Sequence, residues 1–350
     1  MREPAFWWRE AGLLARLLAP LGAMYGAVAA IRMWRKGRRA RVPVVCIGNL
    51  TLGGSGKTPA AIALARMLQA AGHSPAFLTR GYGGRLAGPV LVAPTHTAAE
   101  VGDEPLLLAR IAPTIVARDR VAGAAAAEKA GADIIVMDDG FQNPSLTKDT
   151  AVLVIDGTRG IGNGKVFPAG PLRAPLAAQI AAAGRNVRFP ILLIVGEPGA
   201  SARAVLHAWR RLPSATGSLV PDPAAVAALA GRRVLAFAGI GDPEKFFATL
   251  RAAGVAIEET RSFADHHAFT AAEAGELVAR ADAARLTLVT TEKDHARMSG
   301  NATLATLAAR AMTLPVVLAI DDAEGWRRGL ADLLRALREQ GLVRPRATRP

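Results

Sequence analysis

The sequence predicts an α/β protein: a large sheet domain, an apolar amino-terminal helix before it and a second, smaller α/β domain after it. Three observations carry this reading. From residue 42 onward, short β-branched apolar runs alternate with Ala- and Leu-rich helical runs, the pattern of a mostly parallel sheet covered on both faces. The first of these runs leads through a Gly-rich segment straight into a helix. Residues 1–41 do not share the pattern: they open on Phe6, Trp7 and Trp8, continue apolar, and close on Trp34, Arg35, Lys36, Arg38, Arg39 and Arg41.

In chain order, the amino-terminal segment 1–41 reads as an interfacial helix followed by a basic stretch. Its unbroken apolar part, 17–31, is short for a bilayer span, which takes about 20 residues. Aromatics at one end and cations at the other suit a helix lying on an anionic leaflet; the competing reading is a helix packed on the protein's own core. No small-residue cleavage site follows, which argues against a removed signal peptide. The core domain is expected over 42–215, with strands at 42–47, 75–79, 90–92, 133–137, 151–155 and 191–195. Helices fall between them, for example at 105–111 and 121–130. A Pro-marked stretch, 212–225, reads as a linker. The smaller domain, 226–342, is expected to hold strands at 234–238, 255–259, 286–290 and 315–320, with helices at 243–253, 271–284 and 325–340. The basic tail 343–350 is expected to fray.

Composition narrows the partners. The 350 residues carry a net charge of +14, and the first 99 hold 13 Lys and Arg against only two acids, Glu3 and Glu10. Such a bias suits nucleic acid, anionic lipid or a phosphorylated substrate. The lone Cys46 cannot form an intrachain disulfide, which fits a reducing cytosol. Nucleic acid is the weakest of the partners, because the basic segment lacks aromatic residues interleaved with cations on strands.

The Gly-rich segment is Gly48-Asn49-Leu50-Thr51-Leu52-Gly53-Gly54-Ser55-Gly56-Lys57-Thr58-Pro59. Strand, Gly-rich loop, Lys-Thr and helix form the layout of a phosphate-binding loop, although Thr51 stands where the usual pattern has its first Gly. Backbone N–H groups of 51–56 would crowd around an anion at the helix N-terminus. Lys57 would reach the β- and γ-phosphates, and the Thr58 hydroxyl would ligate Mg²⁺. The strand at 133–137 runs into Asp138 and Asp139, where such a protein holds its metal; either could be the ligand. Asp103 precedes a helix and reads equally as a cap or as a functional acid. The loop Arg80-Gly81-Tyr82-Gly83 reads as one passing close to an anion or as a simple turn, and Lys165 to Arg173 as a stiff loop with one cation at its end. Asp265-His266-His267 follows a strand and reads equally as structural histidines or as a site where a His oriented by a carboxylate acts as a base. Zinc has no further ligand at suitable spacing. Thr291-Glu292-Lys293-Asp294 reads as a salt-bridged turn or a domain-interface contact.

Taken in order, these segments resemble the tetraacyldisaccharide 4′-kinases, the lipid A kinases of Gram-negative bacteria. The resemblance rests on the loop 48–59, Arg80 to Gly83, Gly102-Asp103-Glu104-Pro105, Asp138-Asp139-Gly140-Phe141-Gln142, Pro168 to Arg173, Phe263 to His267 and Thr291 to Asp294. It implies a P-loop NTPase-type sheet domain with a membrane-associating amino-terminal helix. The implied activity is transfer of a phosphate from ATP, with Mg²⁺, to the 4′-hydroxyl of an acylated glucosamine disaccharide at the cytoplasmic face of the inner membrane. Carried over by motif, Thr51, Leu52, Gly53, Gly54, Ser55, Gly56, Lys57 and Thr58 bind nucleotide; Thr58, Asp138 and Asp139 serve the metal; Asp103 and His266 form the catalytic pair. Arg80, Glu104, Gln142 and Arg173 fall in matched motifs and are expected to contact substrate or phosphate. The family commonly has Glu after Pro171-Leu172-Arg173; here Ala174 stands there. No nucleic acid and no obligate protein partner are expected. The alternatives are a cytosolic P-loop kinase or ligase with a small soluble acceptor, and a nucleotide switch or metallochaperone GTPase. The second lacks a guanine-reading Asn-Lys-x-Asp.

Overall fold

A computed structural model describes residues 3–339; the tail 343–350 lies outside the described residues. In chain order the strands are β1 (Val44–Gly48), β2 (Pro75–Thr79), β3 (Val90–Leu91), β4 (Thr114–Val116), β5 (Ile134–Asp138), β6 (Lys148–Asp156), β7 (Val187–Val195), β8 (Ser214–Pro221), β9 (Arg233–Ala238), β10 (Ala256–Ser262), β11 (Thr287–Thr290), β12 (Met312–Thr313) and β13 (Val316–Ile320). They build a nine-stranded sheet ordered β13-β8-β7-β6-β1-β5-β2-β4-β3 and a four-stranded sheet ordered β10-β9-β11-β12. All pairings are parallel except at the two edges of the large sheet, where β3 and β13 run antiparallel to β4 and β8.

β1, β2 and β5 are buried along their whole length, as strands covered on both faces must be. Alternation divides their side chains between two cores. Val44 and Cys46 join the cluster under the amino-terminal helix, while Val45 and Ile47 join the one under helix Lys57–Ala70. β1 lies between β5 and β6, with the chain winding away to both sides. Its carboxyl end therefore opens on the crevice where such sheets bind ligands.

The amino-terminal helix, Leu13–Met33, inverts the usual amphipathic arrangement. It rests on the protein through Ala15, Gly22, Gly26 and Met33, while Leu17, Leu21, Met24, Val28 and Ile31 point outward. The glycines permit that contact: a Cβ at Gly22 would stand 2.7 Å from the Val166 carbonyl oxygen, and one at Gly26 would press on the Pro175 ring. The helix is long and apolar enough to cross a membrane by length and composition, and only 17% of its most apolar window is buried against the protein.

The carboxy-terminal third departs from expectation. Residues 212–225 are not a bare linker, because β8 lies within them, and 315–320 does not join the smaller sheet. β13 leaves that sheet and pairs with β8, Val316 opposite Pro221 through Ile320 opposite Gly217. Helix Ala323–Glu339 follows it back, placing Leu334, Trp326 and Leu330 on the large core. The four-stranded sheet is therefore inserted between two strands of the nine-stranded one. β8 reads Ser-Ala-Thr-Gly-Ser-Leu-Val-Pro, with too few apolar residues to announce a strand; only pairing on both sides makes it one.

Candidate active site

At the carboxyl end of β1 the chain turns through the Gly-rich loop into helix Lys57–Ala70. Gly53 and Gly56 take φ of 99° and 86°, the left-handed region glycine adopts freely, and Gly56 caps the helix. Thr58 and Ser55 are buried, and the Ser55 hydroxyl has no hydrogen-bond partner among the described residues. The loop is braced from outside. Gln142 Nε2 donates to the Asn49 carbonyl at 2.7 Å and to Gln179 Oε1 at 2.9 Å, and Gln179 Nε2 donates to the Leu50 carbonyl at 3.1 Å. The expected substrate contact Gln142 thus has its amide N–H groups committed to scaffold oxygens. Arg173 donates from Nε to the Thr51 carbonyl at 2.9 Å and from Nη2 to Asp139 Oδ2 at 3.0 Å, with Nη1 2.9 Å from Oδ1 as an ion pair. Ala174, where the family commonly has Glu, is fully buried beside Gln179.

Asp138 ends β5 directly across from Ile47 of β1. It is buried and its Oδ1 has no hydrogen-bond partner among the described residues. Burial, with the negative charges of Glu104 and Asp139 beside it, pushes its carboxyl up to about 7. Asp139 follows in the left-handed region, φ 49°. Burial also works against its charge, but Lys57, Arg173 and Arg120 outweigh that and hold its carboxyl below the ordinary value. Lys57 favours the charged form of Asp138, Asp139 and Glu104 alike, and Lys293 does the same for Glu104 and Asp138.

Across the crevice stands the smaller sheet. Asp103 begins helix Asp103–Ala109 of the large domain rather than capping it; Gly102 is the cap. Arg297, from helix Glu292–Met298 of the smaller unit, donates to Asp103 Oδ2 from Nε at 3.0 Å and Nη2 at 2.6 Å. His266 Nδ1 lies 3.6 Å from the same oxygen, an ion-pair distance rather than a hydrogen bond. Burial would raise the Asp103 carboxyl, but His266, Arg297 and Lys293 hold it well below the usual carboxylate range. His266 is half-exposed, and Tyr82 packs edge-on against it with ring centroids 5.6 Å apart. His267 faces elsewhere: its Nε2 is 3.0 Å from Glu273 and its ring stacks on Phe263. Glu104 accepts from Lys293 Nζ at 2.6 Å, while Arg80 is exposed to solvent at the edge of the site.

Three participants were not legible as site residues. Arg297 lies three residues past Asp294, a spacing that joins acid and base on one helix turn and could have flagged it; Nη1 reaches Asp294 Oδ1 at 2.7 Å. Arg159 ties Glu3 at 3.0 Å to Asp242 of the smaller unit at 2.7 Å. Glu3 itself lies against the phosphate loop, close enough that a Cβ on Gly53 would collide with its carboxylate.

A Gly-rich loop with Lys-Thr at the end of a central parallel strand, and an acid at the end of the next, define a P-loop phosphotransferase. Comparison with known proteins is specific. The family model described as Tetraacyldisaccharide-1-P 4′-kinase matches residues 14–335. The chain is 57% identical over 342 residues to the tetraacyldisaccharide 4′-kinase of Methylobacterium sp. (strain 4-46), covering 96% of this chain and 98% of that one. It is 53% identical over 335 residues to that of Nitrobacter winogradskyi, covering 95% and 97%. A crystal structure of the apo form of LpxK from Aquifex aeolicus in complex with ATP shares the fold, with a TM-score of 0.71 at 24% identity, covering 92% of this chain and 99% of that one. The chain belongs to the tetraacyldisaccharide-1-P 4′-kinase family.

Proposed function

We infer that the chain transfers the γ-phosphate of ATP to the 4′-hydroxyl of a tetraacylated glucosamine disaccharide 1-phosphate, a step of lipid A synthesis. The observation that carries this is a juxtaposition: Asp138 and Asp139 end the strand beside the phosphate loop, and Asp103, on the same side of the crevice, faces His266 of the smaller unit across it. Phosphoryl transfer needs positioning and charge neutralisation more than covalent help. The backbone of Thr51 to Gly56 cradles the phosphates, and Lys57 meets their outer oxygens. Nδ1 of His266 faces Asp103 at 3.6 Å, and Nε2, 3.9 Å from Asp265 Oδ1 and without a hydrogen bond to it, is the nitrogen that takes the sugar hydroxyl proton while the Asp103 carboxylate stabilises the imidazolium.

The residues present fit Mg²⁺. Among the described residues there is no cluster of three His, Cys, Asp or Glu to cage a metal, but Mg²⁺ with nucleotide takes one or two carboxylates and completes its shell with phosphate and water. The Thr58 hydroxyl and the Asp138 Oδ1 and Asp139 Oδ1 oxygens, neither with a hydrogen-bond partner among the described residues, are suitable donors, Asp139 being also ion-paired with Arg173. When bound, the ion would neutralise charge on the transferring phosphate.

The outward face of helix Leu13–Met33 and the arginines after it support docking on the anionic cytoplasmic leaflet, where an acylated acceptor lies. The competing small soluble acceptor leaves that face without a purpose. Transfer of ³²P from ATP to the tetraacylated disaccharide 1-phosphate tests the reading directly. Labelling of the lipid, abolished in Lys57→Ala, is expected; no labelling by folded, nucleotide-binding protein overturns it.

A further inference from the structure

We propose that Arg297 is the positioning residue of the Asp103–His266 pair, one guanidinium holding the carboxylate directly and the imidazole through the Gly239 carbonyl. The inference rests on the reading of those two residues as the catalytic pair and adds the group that assembles them. Arg297 Nε and Nη2 both donate to Asp103 Oδ2, and Nη1 donates to the Gly239 carbonyl at 2.7 Å. That carbonyl also accepts the backbone N–H of His266 at 3.1 Å. His266 occupies the left-handed region, φ 55°, which a non-glycine residue adopts only when its surroundings hold it there. Asp294 completes the clamp: Oδ1 accepts from Arg297 Nη1 at 2.7 Å and Oδ2 from the Gly239 N–H at 3.1 Å. The Gly239 peptide is thus gripped at both its N–H and its C=O by one acid and one base from a single helix turn. A Cβ on Gly239 would stand 3.1 Å from both Asp294 Oδ1 and His267 Cβ, so the close approach favours glycine.

The arrangement crosses the crevice. Asp103 belongs to the large domain, whereas Arg297, Gly239, Asp294 and His266 belong to the smaller unit. Among the described residues, Arg297 is the group that hydrogen-bonds both the Asp103 carboxylate and the Gly239 carbonyl from which the His266 N–H hangs. Lysine cannot substitute: a single ammonium lacks the planar fork that serves two carboxylates and a carbonyl at once. The charged groups around Asp103 are His266, Arg297 and Lys293, with Asp294 and Glu104 behind them.

The experiment compares Arg297→Ala, Arg297→Lys, Asp294→Asn, Asp103→Asn and His266→Ala in the full chain, measuring kcat and KM with the lipid acceptor, nucleotide affinity, thermal unfolding and the pH–rate profile. Arg297→Ala is expected to lower kcat on the order of 10²-fold, the scale of a small misplacement of reacting groups, with nucleotide affinity within about twofold. It should also move the acid limb of the profile to higher pH, because Asp103 loses its nearest fixed cation. Arg297→Lys should return the acid limb towards wild type while kcat stays depressed, since the charge is restored and the fork is not. Full recovery of kcat in Arg297→Lys, or a kcat within about threefold of wild type in Arg297→Ala, overturns the proposal. Should Arg297→Ala fail to fold, Asp294→Asn decides. It keeps an oxygen for the Gly239 N–H but removes the anion that braces Arg297, so a lowered kcat at unchanged KM supports the clamp and an undiminished kcat overturns it. Loss of turnover in Asp103→Asn and His266→Ala, with none in the Arg297 and Asp294 variants, overturns the clamp alone; retention in all of them overturns the catalytic pair as well.

Discussion

At the scale of single residues, the two adjacent histidines divide their work by geometry. His266 shares Asp103 with Arg297, while His267 is spent on Glu273 and Phe263. His266→Ala should therefore lower turnover by roughly 10²–10⁴-fold, the range of general acid–base catalysis. Combining it with Asp103→Ala should add little to the larger single loss, because the two act as a unit. His267→Ala should keep turnover and lose stability instead; a double-mutant cycle on turnover, with unfolding curves alongside, checks both statements. Lys57→Ala removes a cation that favours the charged forms of Glu104, Asp138 and Asp139 and should cost the transition state about 3 kcal/mol or more, read from kcat at saturating nucleotide. Asp138 carries a stability prediction. Its carboxyl is raised from 3.8 to about 7 in the folded chain, so the folded state holds a proton that the unfolded chain has already lost. This contribution is whole below pH 3.8 and is lost as pH rises through 7, so between those limits it makes stability fall with pH. Asp138→Asn should flatten that slope in nucleotide-free protein, raising stability at pH 8 relative to wild type by an amount on the order of a few kcal/mol. Chemical denaturation at a series of pH values is the check. An unchanged slope would show that the buried carboxyl is not what titrates.

At the scale of elements, the amino-terminal helix is built from a thin small-residue face and a broad apolar one, and only the thin face touches protein. Replacing Leu17, Leu21 and Val28 by Gln should leave thermal stability unchanged, since those side chains are already in water. It should release the protein from anionic vesicles, with about 1–2 kcal/mol of binding lost per side chain withdrawn from the bilayer. Gly22→Leu should do the reverse, driving the helix off Val166 and lowering stability. Vesicle flotation and unfolding curves on the same variants separate the two faces. A helix of this composition could equally have been a core helix as far as its sequence shows. Its hydropathy does not reveal which side is covered, because the covered side is mostly glycine and alanine, with Met33 at its end.

At the scale of the whole molecule, the smaller sheet is an insertion, and the crevice is closed from both ends by pairs that cross between the two units. Asp103–Arg297 and Glu104–Lys293 lie at one end; Asp156–Lys245 and Asp242–Arg159 lie at the other. Because helix Ala323–Glu339 returns to the large core, Leu334→Ala should destabilise the nucleotide-binding domain by about 2–5 kcal/mol, the cost of a buried Leu→Ala. Ending the chain before residue 323 should abolish nucleotide binding. A truncated chain that binds nucleotide normally would mean that the helix belongs to the smaller unit after all.

The sequence by itself determined the α/β class, the phosphate loop and its helix, and the acids that end β5, because these are local: a strand, a glycine turn and a helix are contiguous in the chain and carry their own periodicity. The motifs holding Asp103 and His266 were also visible, but local pattern left a cap and a structural histidine as equal readings. Only the tertiary structure decided the rest. Asp103 and Arg297 are separated by 194 positions, and nothing periodic links them. Their meeting depends on how the inserted sheet sits against the large one. The pairing of β13 with β8 was hidden for the same reason: a strand's neighbour is chosen by what remains unpaired at a sheet edge, and a short run of mixed residues does not name its partner.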